Sequence, residues 1–171
     1  MSQDPLERDL WPRWIFASCA QFFKEQLPTA DFFVEGQEFK EDNIKDSVQF
    51  RMDGPQISQI SSTIWRVRLE VNIYAQSVIR ESSWQDIHKL VGLVSAAFKD
   101  IPVYRFGKVE EDARNNDTLW DCLRLVQELT GQDGAINVTH FGQVVQNTKV
   151  MAATIAGHYI VDHDTDIGGI A

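Results

Sequence analysis

The sequence predicts an α+β fold: one domain whose antiparallel sheet of mixed-length strands is built on a long central hairpin and flanked by about three helices. Two stretches and the composition carry that prediction. Residues 64–75 read I-W-R-V-R-L-E-V-N-I-Y-A, with Trp65, Val67, Leu69, Val71 and Ile73 at every second position and Arg66, Arg68, Glu70 and Asn72 between them. Period 2 is the signature of a strand with one apolar and one polar face. At roughly 3.3 Å per residue such a strand runs about 40 Å, long enough to be central to an antiparallel sheet. Residues 84–98 instead place Trp84, Ile87, Val91, Val94 and Phe98 at spacings of three and four, the period of a helix packed by one side. The composition, 43% hydrophobic and 24% charged over 171 residues, suits one domain with a real core.

The remaining elements follow in chain order. Residues 1–12 read as an N-terminal arm, because Pro5 and Pro12 interrupt structure around a short polar segment. A helix is predicted over 13–27, where Ile15, Cys19, Phe22 and Gln26 form one row and Phe16, Ala20, Phe23 and Leu27 a second. Pro28 ends it. Residues 31–45 fit a strand followed by an acidic loop. Val48, Phe50 and Met52 alternate in a further strand, and Asp53-Gly54-Pro55 signals a turn. Residues 58–63, polar and serine-rich, read as the tip of the hairpin that leads into the central strand. Ser82 and Gln85 fit a capping box for the helix over 84–98. Residues 102–106 fit an edge strand, since proline cannot donate to a ladder. A third helix is predicted over 118–130 from Leu119, Cys122, Leu123, Val126 and Leu129, capped by Asp117 and closed by Gly131. Residues 135–141 read as a strand, and 149–162 as a second long strand whose small and apolar residues suit cover on both faces. The domain thus spans 13–162, followed by a flexible tail over 163–171.

Charge and motif content exclude several function classes. A net charge of −9 gives no basic footprint for general nucleic-acid binding. No apolar run approaches the roughly 20 residues that span a bilayer. Cys19 and Cys122 both fall on apolar positions of predicted helices and read as reduced core residues of a cytosolic protein. No nucleophile elbow, phosphate-binding loop, dinucleotide fingerprint or C-x-x-C motif is present, so no catalytic residue is assigned and no cofactor is expected. Asp162, Asp164 and Asp166 have the spacing that opens a calcium loop, with His158 and His163 nearby. Ile167 stands where the sharp-turn glycine belongs, so no metal site is assigned. His88 sits at the boundary of its helix's apolar stripe and reads as structural. The polar face of the central strand, with Arg66, Arg68 and Glu70, suits either cross-strand ion pairs in solvent or contact with another subunit.

The order of elements resembles the tail-terminator and tail-completion proteins of long-tailed bacteriophages. Residues 48–55 (V-Q-F-R-M-D-G-P) resemble the first long strand and turn of such proteins, and 64–75 the following strand. Residues 84–98 resemble the helix on the sheet, and 151–162 the closing strand, with Tyr159-Ile160-Val161 near its end. The helix expected over 118–130 departs from the smallest members. The resemblance implies a structural virion protein of the tail or neck, assembled in the host cytoplasm. It forms a ring, six-fold in this family, that caps the tail tube, stops its polymerisation and docks the head. It uses no cofactor, catalyses nothing and touches no membrane. Its partners are further copies of itself, the tail tube protein and the head connector or neck protein. DNA passes the lumen without specific binding, which an acidic wall favours. In that frame Arg66, Arg68 and Glu70 face the adjacent subunit, and Ser58, Gln59, Ile60, Ser61 and Ser62 contact the tube or connector. Glu110, Glu111 and Asp112 line the lumen or face a neighbour. The alternatives are another head–tail joining or tail-tube subunit, or a ligand-binding α+β domain.

Overall fold

The computed structural model describes residues 11–37, 46–78, 83–105, 119–126, 136–143 and 150–164. Helix α1 (Trp11–Gln26) is followed by β1 (Asp31–Val34), β2 (Ser47–Gln59) and β3 (Ile64–Val78). Helix α2 (Ser83–Ala97), β4 (Ile101–Tyr104), β5 (Leu119–Leu125), β6 (Ile136–Gln143) and β7 (Val150–Asp164) complete the order. Strands run β1-β2-β3-β7-β5-β4 in one curled, half-barrel sheet, and β6 also pairs with β7. β3 therefore has β2 on one side and β7 on the other, the central position its length predicts.

This architecture corrects the α+β reading with about three helices. Strand accounts for 58% of the described residues, and two helices are described. The helix expected over 118–130 is the element that changes class. Its first half is β5, whose Leu123 is fully buried and whose backbone pairs with both β4 and β7. A short apolar run fits either period locally, and here two non-local ladders decide it. The sheet is also not wholly antiparallel, since β1 lies parallel to β2. Asp53-Gly54-Pro55 does not reverse the chain. β2 continues through it with a bulge between Asp53 and Gln56, where Gly54 takes φ 108° and Gly54–Pro55 is cis. A Cβ at Gly54 would also crowd the Arg68 carbonyl at 3.2 Å. Pro12 does not break structure. It lies in the first turn of α1, where its missing N–H has no helical partner to lose. His163 and Asp164, assigned to a tail, complete β7. The rest of the proposed arm and tail, 1–10 and 165–171, lies outside the described residues, as do Ser82, Asp117, Gly131 and the side chain of Trp84.

The two helices cover one face of the sheet. α1 buries Trp14, Ile15, Ser18, Cys19 and Phe23. Phe16 keeps 37% of its surface and packs edge-on to Phe50. α2 buries Ile87, Val91 and Val94, as its period predicts, and Leu90 beside them. Against them stand Val67, Leu69, Val71, Ile73 and Ala75 of β3, and Ala153, Ile155, Tyr159 and Val161 of β7. Each such side chain contributes about 1.5–3 kcal/mol when taken from water, alanines less. Two polar contacts tie this face together, while the buried Arg105 Nε, its guanidinium over the Trp14 ring, has no hydrogen-bond partner among the described residues. The Tyr104 N–H donates to Ser18 Oγ at 3.0 Å, and Tyr159 Oη donates to the Lys99 carbonyl at 3.1 Å. Burial pushes the Cys19 thiol up to about 12, so it stays a neutral apolar filler at physiological pH.

Candidate functional site

The opposite face of the sheet carries the polar residues that alternate with the core. Register sets them in rows: Ser58–Arg66–Asp162, Gln56–Arg68–Ile160–Arg124, Asp53–Glu70–His158 and Arg51–Asn72–Ala156. Two charge patches result, side by side on one face.

The first patch lies where β3, β7 and β5 meet. Arg66 grips Asp162 with a two-pronged bond, Nε to Oδ1 and Nη2 to Oδ2, both 2.6 Å. The hydrogen bond from Arg66 holds the Asp162 carboxyl below its ordinary range despite partial desolvation, with Arg66, Arg68 and Arg124 adding their fields. The same bond raises the Arg66 guanidinium. Three guanidiniums thus share one carboxylate. Since Asp162 ionises more easily folded than unfolded, the pair's stabilisation is complete above the ordinary value of 3.8 and lost as pH falls through the lower folded value. The Asp162→Asn protein should therefore lose less stability than the parent between pH 5 and pH 3 in urea unfolding. Parallel pH profiles would show that the pair is not linked to folding.

The second patch is an open depression of about 520 Å³ lined by Glu35, Gln49, Arg51, Asp53, Glu70, Asn72, Tyr74 and Thr154. Arg51 Nη2 lies 3.0 Å from Asp53 Oδ1, and its Nε lies 3.7 Å from Glu35 Oε2. Asn72 Nδ2 donates to Asp53 Oδ2 at 2.9 Å. Here three carboxylates, Glu35, Asp53 and Glu70, line the same depression as one guanidinium, which pairs with the first two. His158 Nδ1 approaches Glu70 Oε2 at 3.8 Å.

The sequence-predicted residues distribute as follows. Arg66, Arg68 and Glu70 do share the polar face, but Arg66 spends its guanidinium on Asp162 of its own chain rather than standing free for a neighbour. Ser58 and Gln59 end β2, and Ile60, Ser61 and Ser62 form the hairpin tip. Ser61 has a structural task there, its Oγ accepting from the Thr63 and Ile64 N–H groups at 3.3 and 3.0 Å. Ile57, Ile60 and Trp65 beside it stay 49%, 48% and 38% exposed. Trp65 leaves the buried set that its alternation assigns and stands exposed beside the hairpin tip. Glu110, Glu111 and Asp112 lie outside the described residues.

The calcium-like spacing is dispersed by strand geometry. Asp162 and Asp164 point to the polar face, while His163 points to the core face, and Asp166 lies outside the described residues. Among the described residues no three metal-binding side chains converge. His163 instead sits 2.9 Å from Asp121 through Nδ1 and stacks on Trp120, with ring centroids 4.3 Å apart. An ionised carboxylate only accepts, so Nδ1 carries the proton. Sequence reasoning misses Arg124 and Asp121, and it singles out Asp162 and His163 without their partners Arg66 and Asp121, which come from strands remote in the chain. His88 is exposed on α2, its ring 4.8 Å from that of His140. No protein-family model matches the chain, and no curated protein matches it.

Proposed function

We propose that the chain is a structural, non-catalytic virion protein of a long-tailed bacteriophage, a ring-forming subunit that caps the tail tube and offers a docking face to the head. The observation that supports this most is the β2–β3 hairpin. Two strands of 13 and 15 residues lead to an end where Ile57, Ile60 and Trp65 remain exposed. Apolar side chains exposed near one hairpin end, among the polar Gln59, Ser61 and Ser62, have the make-up of a contact surface with an apolar centre and polar rim. In this reading the tip docks on the tube or the connector, neighbouring copies close the ring, and DNA passes without being bound.

Six copies of 19.5 kDa make a particle of about 117 kDa. Light scattering and electron microscopy of concentrated protein, alone and with purified tail tubes, test the reading. Closed rings of that mass, or rings seated on tube ends, support it; open tubes point to a tube subunit instead. The Ile57→Ser, Trp65→Ser protein should fold normally yet lose at least about tenfold in tube-end occupancy, as expected for apolar anchors. Occupancy equal to the parent's would remove the hairpin from the interface. A second reading, ligand binding in the depression of about 520 Å³, predicts a rise in Tm with a small polar ligand.

A further inference from the structure

The two charge patches on the polar face complement each other, and within one chain they adjoin where Arg68 and Glu70 stand two positions apart on β3. On the basic patch Arg66, Arg68 and Arg124 stand against Asp162 and, at the end of the same face of β7, Asp164, an excess of one positive charge. In the depression Glu35, Asp53 and Glu70 stand against Arg51, an excess of two negative charges. The basic excess occurs on a chain whose net charge is −9. Asp162 is already taken by both prongs of Arg66, so Arg68 and Arg124 feel its field without sharing its bond. These two flank Ile160 in one row across β3, β7 and β5, and strands about 4.8 Å apart put their Cα atoms roughly 10 Å from each other. At that distance they lie within about one screening length of each other at 0.1 M salt, so their fields add toward an incoming anion.

We infer that this face docks on the same face of a second copy of the chain, Arg68 and Arg124 of each copy meeting Glu35, Asp53 and Glu70 of the other. Both patches lie on one face, so a copy rotated by half a turn sets each patch on its complement. That is the isologous, self-closing form of contact. It stops at two copies and is separate from the heterologous contacts that a ring requires, so it goes beyond the ring reading. A second copy, itself of net −9, is repelled over the rest of the surface as a polyphosphate is. What favours it is that its acidic patch meets the arginines while its own arginines meet the acidic patch, a two-sided match that a polyanion lacks. Contacts of this type set association rate and specificity and weaken with salt, as the screening length falls to about 3 Å at 1 M.

The test is sedimentation of the full chain over rising concentration at low and high salt. The parent should show a two-copy step, two times 19.5 kDa or about 39 kDa, that weakens at high salt. Arg68→Glu with Arg124→Glu should weaken that step about tenfold or more, and so should Asp53→Lys with Glu70→Lys. Mixing the two reversed proteins should restore it, since each now offers the other's complement. The milder Arg68→Gln, Arg124→Gln protein should fall between, with unchanged circular dichroism. A parent without a two-copy step, a step that survives both reversals, or a mixture that fails to recover it would overturn the inference. Rings or tube capping that persist in the reversed proteins leave the ring reading intact, so the two can fail independently.

Discussion

Gly157→Val is expected to destabilise the protein by about 3 kcal/mol or more, lowering Tm by roughly 6–12 °C. Gly157 lies in the middle of β7, paired with Val71 on one side and Ile136 on the other. A Cβ there would come within 2.5 and 2.6 Å of Phe98 Cδ1 and Cε1. The Phe98 ring cannot simply swing aside. It is 5% exposed, with its centroid 5.0 Å from Phe23 and 6.3 Å from Tyr159. The added atoms therefore force either the ring or the strand to move, and overpacking of this kind is felt throughout a dense core. Shrinking the obstacle should help: Phe98→Leu combined with Gly157→Val should cost clearly less than the sum of the two single changes. A Tm within about 2 °C of the parent for Gly157→Val, or strict additivity in the double variant, would show that the close approach is not what holds glycine at this position.

Phe50→Ala should cost about 3–5 kcal/mol, read as a lower urea midpoint with an unchanged slope. Phe50 is fully buried on β2 and joins three elements. Its ring centroid lies 5.7 Å from Phe16 and 6.0 Å from Phe23 of α1, and 6.3 Å from Phe32 of β1. Truncation leaves a cavity whose walls are themselves rigid rings, poorly able to collapse into it. Phe50→Leu keeps most of the volume and should cost under about 1.5 kcal/mol. Phe16→Ala, at a residue 37% exposed, should fall well below Phe50→Ala. Equal losses at Phe16 and Phe50 would mean that the ring contacts, rather than burial, carry the energy.

What could be read from the chain depended on whether the deciding interaction was local. The alternation from Val67 to Ala75 translates directly into a buried row, because strand geometry alone sends successive side chains to opposite faces. Ile87, Val91, Val94 and Phe98 are as legible, since one helical turn brings each onto the last. The segment from Leu119 is not. Its leucines and cysteine fit a helix as well as a strand, and only pairing with β4 and β7 decides between them. Asp53-Gly54-Pro55 carries turn residues, but a bulge needs the same positive φ and uses them to bend a continuing strand. At the candidate site, the sharing of one face by Arg66, Arg68 and Glu70 follows from their spacing. That Arg66 belongs to Asp162, 96 positions later, follows from the β3–β7 register, which no local pattern encodes.

β7 pairs with β3 along its whole length and with β6 and then β5 along its other edge. In sequence the β3–β7 partners stand 100 positions apart at one end (64 with 164) and 72 at the other (78 with 150). Pairing over such separations is slow, because loop closure must precede any reward from contact. During synthesis at about 5–20 residues per second, roughly 4–14 s pass between the emergence of Val78 and that of Val150. Throughout that interval the central strand has an unsatisfied backbone edge, β5 has β4 alone to pair with, and β6 has no template to join. The nascent chain thus holds a sticky half-sheet until its last strand arrives. Its yield in the cell depends on how well that wait is protected from other chains.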